Sequence, residues 1–378
     1  ILFGFITIVL AYNHARIYWK KHKFIPILVL ISKFFILIFF YFFSKNPSYG
    51  HDSWVFYIHA VEPYPLHFGN HILYNIGLFC RDILNLNYLN AILLTGFVPI
   101  AGLLLILKPI SKIYFDNSKK INFLYFSMLL FPSFHFWSCG ITKEIFVFLS
   151  ACMLISKISE QKSISIISSI LIFIPLLLAR PHYVIYFAIS ILIYNAFVNR
   201  KINLVSLPKI VIPATILFLL AIVVLNYALT INTSTYFFTF DDLKLFVRVR
   251  QNENTSETLS FAIKDLSTLQ ILIKFFFDPS ILAYSMKKNI ITLILFIENS
   301  IILIFFTIII FKLFKFSNFK LIQNKSGLFS ILIFLFLFSL TSTLVTPNLG
   351  ILMRYKNMVY PLIIYLIFSF NYLKYEKK

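Results

Sequence analysis

Short polar clusters interrupt an otherwise apolar chain, and each holds side chains able to move a proton or hold an anion. The first reads His51-Asp52-Ser53-Trp54-Val55-Phe56-Tyr57. Asp52 can act as a general base toward a hydroxyl or hold a cation, and His51 can serve the same base role. Asp52 before an apolar run is also a good helix N-cap, and one residue can do both. The second cluster runs from Phe131 through His135, Trp137 and Gly140 to Lys143-Glu144. Charges at the outer end of a helix are costly unless paired or wet. Glu144 sits where a helix begins, which favours an acid there. The plainer reading is a Lys143–Glu144 pair that ends a helix. The third cluster is Ala179-Arg180-Pro181-His182-Tyr183, a hairpin apex. Arg180 suits bidentate phosphate binding, against the plainer alternative of snorkelling to lipid headgroups. His182 is a further candidate base. The fourth contains Asp241-Asp242 and then Arg248 and Arg250, which lie on one face if the segment is extended. The acids read most simply as a solvated loop. The fifth runs Asn348-Leu-Gly350-Ile-Leu-Met-Arg354-Tyr-Lys356, placing Arg354 and Lys356 at the start of an apolar span. Cations oppose the dipole there, and a bound anion would relieve that cost.

The elements that must position these residues are helices in lipid. The chain has 378 residues, 60% hydrophobic and 13% charged, with a mean hydropathy of +0.86. Soluble domains carry about 25% charged residues, so a soluble enzyme, a disordered chain and a disulfide scaffold are all excluded. Backbone crossing lipid must satisfy its own hydrogen bonds, which makes helices the expected element. Spans are expected near 1–13, 24–43, 88–107, 121–137, 141–156, 164–179, 183–198, 209–230, 289–311, 327–343 and 357–372, about 11 transmembrane helices in a single all-α polytopic domain, 1–378. The opening run has no basic segment before it and no small-residue cleavage site after it, and is expected to be a bundle helix rather than a signal peptide.

The net charge of +20 reads as topology, not as nucleic-acid binding. Alternate loops gather most of the lysines, among them Lys20, Lys21, Lys23, Lys108, Lys112, Lys119, Lys120, Lys312, Lys315, Lys377 and Lys378, with few acids. Those loops are expected inside by the positive-inside rule. The long segments 44–87 and 231–288 then lie outside, with most of the acids, arginines and histidines, and are expected to contribute the active site. Lys33 and Glu298 lie within spans, where charges are functional candidates; they could pair or relay protons. Cys80, Cys139 and Cys152 show no metal-ligand spacing, so no metal site and no cofactor are expected.

Two known groups of proteins are similar in these motifs. Asp52, with Tyr57 and Ala60 following on an interfacial stretch, resembles the first external loop of GT-C-type glycosyltransferases, where the loop acid is catalytic. The Trp137-Ser-x-Gly140-x-x-Lys143-Glu144 turn and the Asn348 to Lys356 run are similar to bacterial membrane proteins of polysaccharide assembly, including O-antigen polymerase (Wzy-type) proteins. The resemblance implies a GT-C-like bundle in the bacterial inner membrane, with its active face external. It implies a polymerase that joins polyprenyl-diphosphate-linked oligosaccharide units. Asp52, His51 or His182 would supply the base. Lys143, Glu144, Arg180, Arg248, Arg250, Arg354 and Trp137 would hold diphosphate and glycan. The expected partners are the polyprenyl-linked oligosaccharide, membrane lipid and a chain-length regulator protein. The near alternative adds one sugar from a polyprenyl phosphate donor. A transporter or flippase using Lys33 and Glu298 is the alternative of another class.

Overall fold

The computed structural model describes residues 2–19, 22–45, 52–59, 70–115, 126–198, 270, 273, 275–276, 290–314, 326–345 and 349–372. Among them every regular element is helical. In chain order they are α1 (Leu2–Tyr18), α2 (Phe24–Ser44), α3 (Asp52–Ile58), α4 (Asn70–Leu78), α5 (Tyr88–Thr95), α6 (Phe97–Phe115), α7 (Pro132–Phe136), α8 (Lys143–Ser159), α9 (Ile166–Ala179), α10 (Val184–Val198), α11 (Ile290–Phe314), α12 (Ser326–Val345) and α13 (Leu349–Tyr372). Three stretches are long and apolar enough to cross a membrane: Phe24–Ser44, Tyr88–Ile113 and Ile351–Phe370. Shorter apolar helices cover Ile166–Ala179, Pro181–Ala196, Leu293–Ile309 and Gly327–Ser342. The protein is therefore an all-helical membrane protein. The span expected at 209–230 lies outside the described residues.

The chain divides into two compact units, Ile1–Pro181 with Asn357–Lys378, and His182–Lys356. In the first, α6 packs on α8, α8 on α9, and α1 on α2. Small residues allow the α6–α8 approach: Gly102 faces the Phe148 ring and the Cys152 thiol. Phe126 and Phe134 pack against Phe368 and Tyr360 of α13.

The span expected over 121–137 is not one helix. A short 3₁₀ turn, Met128–Leu130, gives way at Phe131 to an extended backbone (ψ 125°), and α7 restarts at Pro132 for only five residues. Proline has no N–H to donate and disfavours the helical conformation in the residue before it, so the break falls at Phe131. Irregular backbone buried in lipid needs replacement partners. Lys33, midway along α2 and wholly buried, supplies them. Its ammonium donates to His135 O, Ser138 O and Ser138 Oγ, each at 2.7 Å, and lies 3.3 Å from Cys139 Sγ. These bonds direct the Lys33 ammonium at the 135–139 turn; Glu298, considered with it in the sequence, lies in the second unit.

In the second unit α10 packs along α12, and Tyr186 donates to Thr341 Oγ1 at 2.8 Å. The rings of Phe187, Phe334, Tyr183 and Phe338 fill the space between them. Arg354 and Lys356 were expected at the head of a last span beginning at 357. The helix begins at Leu349 instead, so both fall in its second and third turns, beyond the reach of the dipole end. Lys356 is 1% exposed and donates to the Asn299 side-chain oxygen and to Phe276 O. Two neutral oxygens thus accept from this buried ammonium.

Candidate functional site

Three of the separate sequence clusters meet at one end of the first unit. The link is Ser53, the second residue of α3. Its hydroxyl accepts a hydrogen bond from Ile141 N at 2.9 Å and lies 3.1 Å from the Tyr88 hydroxyl. The same Tyr88 hydroxyl lies 2.8 Å from Ser44 Oγ, and its single proton serves one serine at a time. The end of α2, the start of α3 and the turn before α8 are therefore tied together, and half-buried Asp52 stands beside that knot in the first turn of α3. Its place in the first turn fits the capping role as well as the base role.

Gly140 makes the turn possible. Its φ is +72°, a region that costs residues with a Cβ. A Cβ placed there would also run into the Phe40 ring and lie 2.6 Å from Ser53 Oγ. Gly140→Ala is expected to lower stability by about 3 kcal/mol or more, from the backbone strain and the clash together. Thermal unfolding of the full chain in lipid checks this; a loss below about 1 kcal/mol would mean the turn is not held as described.

Thr142 then starts α8 from an extended backbone (φ −139°, ψ 154°), with its hydroxyl turned back to Cys139 O at 3.2 Å. Glu144 in the first turn of α8 points to Arg180, which follows the last residue of α9. Arg180 Nη2 and Glu144 Oε1 are 3.5 Å apart, with the two side chains 17% and 2% exposed. Each charge is favoured by its own helix end, the acid at the N-terminus of α8 and the cation at the C-terminus of α9. Lys143, considered beside Glu144 in the sequence, is its neighbour in the first turn of α8, and the antiparallel α9 brings Arg180 to the Glu144 carboxylate.

Beside this cluster lies a second group. Arg81 makes a bidentate pair with Asp82, at 2.6 and 2.8 Å, and its other nitrogen donates to Tyr57 O and Ile58 O. The Arg81 hydrogen bond holds the Asp82 carboxyl below the usual carboxylate range. Tyr57 donates to Leu86 O at 2.8 Å, and burial raises its phenol above the ordinary value.

Asp52, Lys143, Glu144 and Arg180 thus share one end of the first unit. Trp137 lies in the same turn, half-buried against Phe136 at 5.3 Å between ring centres. His182 opens the second unit and packs on Tyr183, 4.5 Å between centres, and Arg354 is half-buried in that unit too. His51, Arg248 and Arg250 lie outside the described residues, as does most of the 231–288 segment. Two residues went unnoticed in the sequence. Ser53 carries the connection between clusters, signalled only by being a serine in a helix's first turn. Lys45 lies exposed after the last residue of α2. Among the described residues no group of three or more His, Cys, Asp or Glu gathers to hold a metal. No protein-family model, curated protein or solved structure matches this chain.

Proposed function

We propose that the protein is a membrane glycosyltransferase of cell-surface polysaccharide assembly, an O-antigen-polymerase-like enzyme. It joins polyprenyl-diphosphate-linked oligosaccharide units at the outer face of a bacterial inner membrane. The observation that carries the reading is the convergence, through the Ser53–Ile141 hydrogen bond and the Glu144–Arg180 contact, of an acid, a lysine and an arginine from three distant parts of the sequence. They stand at the end of the bundle that the lysine-rich loops leave outside. Arg180 is the group for the leaving diphosphate, since a guanidinium offers two parallel donors to phosphate oxygens. Glu144 fixes where that guanidinium points. Asp52 takes the proton of the attacking hydroxyl. The growing chain is transferred from its diphosphate to that hydroxyl, and the polyprenyl diphosphate departs with the bonding electrons.

A second reading, transfer of one sugar from a polyprenyl phosphate, is favoured by the place of Asp52 at the head of an interfacial helix. Complementation of a deletion strain, read as surface-polysaccharide ladders on a gel, separates the two. Asp52→Asn and Arg180→Gln are expected to leave a single-unit band, consistent with losses of about a hundredfold or more in chain joining. Membrane expression of each variant is checked alongside. A ladder that persists with altered composition would establish the single-sugar transferase. Normal ladders from both variants would overturn both enzyme readings, and loss of all surface sugar only in Lys33 and Glu298 variants would favour transport.

A further inference from the structure

We propose that Trp54, with Tyr41, Tyr57 and Lys45 around it, is a binding subsite for a sugar ring carried on a phosphate, the ring lying on the indole and the phosphate meeting the Lys45 ammonium. The proposal rests on the glycosyltransferase reading above and names a subsite within it. Three elements converge to build the patch. The last turn of α2 gives Tyr41, with Lys45 directly after it, α3 gives Trp54 and Tyr57, and α5 begins with Tyr88. Trp54 lies nearly parallel to Tyr57 (19°, 6.0 Å between centres) and edge-on to Tyr88 at 4.7 Å. Tyr88 also meets Tyr57 at 5.1 Å and Tyr41 at 5.8 Å.

Tyr88 is the buried hub, 3% exposed and hydrogen-bonded through its hydroxyl to Ser44 and Ser53. It fixes the other rings and is itself inaccessible. Trp54, Tyr57 and Tyr41 are only half-buried, so the patch keeps an open side. Lys45 lies over it, exposed, 5.4 Å from the Trp54 ring centre and 4.5 Å from that of Tyr41, with its ammonium 2.7 Å from the Tyr41 hydroxyl. The Tyr41 contact holds a normally mobile lysine over the indole.

This combination matches one ligand chemistry. The negative face of an indole attracts the positive edges of C–H groups, and a pyranose presents a row of them on one face. An ammonium one sugar-width away suits the phosphate that links such a ring to a lipid. Aromatic side chains and lysines also anchor proteins at the membrane interface without recognising any sugar, and the phosphate of an ordinary lipid headgroup would meet Lys45 equally well.

The test uses the full chain in phosphatidylcholine nanodiscs and reads tryptophan emission. The sequence has 3 tryptophans, so Trp54→Phe identifies its share against Trp19 and Trp137. One probe is undecaprenyl diphosphate bearing N-acetylglucosamine; the other is undecaprenyl diphosphate alone. The sugar-bearing probe is expected to change the Trp54 emission, and the bare lipid to leave it unchanged. Trp54→Phe is expected to weaken binding of the sugar-bearing probe about tenfold, measured by displacement, without weakening the bare lipid. Lys45→Gln is expected to weaken both probes about tenfold. Equal emission changes with both probes would reduce the patch to a headgroup anchor, and no change with either would overturn the subsite outright. The polymerase reading fails separately. A Trp54 response that persists while Asp52→Asn and Arg180→Gln strains keep normal ladders supports the subsite and sinks polymerisation. No Trp54 response in a protein whose Arg180→Gln strain loses its ladder sinks the subsite alone.

Discussion

Replacing Lys33 by Met is expected to destabilise the assembled bundle by about 3–5 kcal/mol, the largest stability effect of any single conservative change considered. The Met side chain fills nearly the same space, so the loss isolates the ammonium. Three oxygens accept from it at 2.7 Å. His135 O keeps Ser138 Oγ and Cys139 Sγ as donors after the change, at 3.0 Å each. Ser138 O has no such reserve among its described contacts, and an unsatisfied carbonyl away from water costs about 1–3 kcal/mol. The ammonium was taken out of water before the helices associated, so its own burial cost is not recovered by the mutation. Lys33→Ala should cost more, because it adds a void where the stem lay. Reversible unfolding in detergent, followed by tryptophan emission, measures the difference. A Lys33→Met protein as stable as the parent would show that the turn at 135–139 holds itself.

The second large effect concerns activity. Glu144→Gln and Arg180→Gln are each expected to reduce chain joining by about a hundred- to a thousandfold, because a leaving diphosphate needs a guanidinium held in one orientation. The double variant should lose little beyond either single one. A double-mutant cycle on stability should give a coupling of about 1–3 kcal/mol, since the pair is 2% and 17% exposed and weakly screened. Arg180→Lys separates geometry from charge, because it keeps the cation and loses the planar fork. It should recover only part of the ladder. Fully additive losses in the cycle would mean that the two side chains act independently despite their proximity.

Much of this could be read along the chain, and the reasons for the rest are specific. The polar clusters around Asp52, Lys143-Glu144 and Arg180 stood out because each interrupts apolar sequence, and the helices on either side followed from the same contrast. Their convergence could not be read. It depends on Ser53, a small polar residue of ordinary appearance, accepting from Ile141 N, 88 positions away. The approach of Arg180 to Glu144 was hidden because the two residues are far apart in sequence and meet only where α8 packs on α9. The break at Phe131 was written in Pro132, although the apolar run on both sides masked it. Lys33 was visible as a charge in lipid, but its partners are mainly backbone carbonyls and a serine hydroxyl, and no residue type announces those. The deep position of Lys356 depended on where the last helix begins, and Gly350 with Pro347 before it made a later start look natural.

The Lys33 clamp has a consequence for the order of biogenesis. α2 carries no charge except Lys33, and a lysine at a helix centre adds about 2.5–3.5 kcal/mol to the cost of leaving the translocon for lipid. Its acceptors at 135–139 lie more than 100 positions further along the chain. At about 5–20 residues per second, a ribosome takes roughly 5–20 s to deliver them. During that interval the rest of α2, an almost unbroken run of Leu, Ile and Phe, must outweigh the ammonium alone. The dense aliphatic and aromatic content of this one helix is therefore suited to keeping a charged segment in the bilayer until its partner turn has been made.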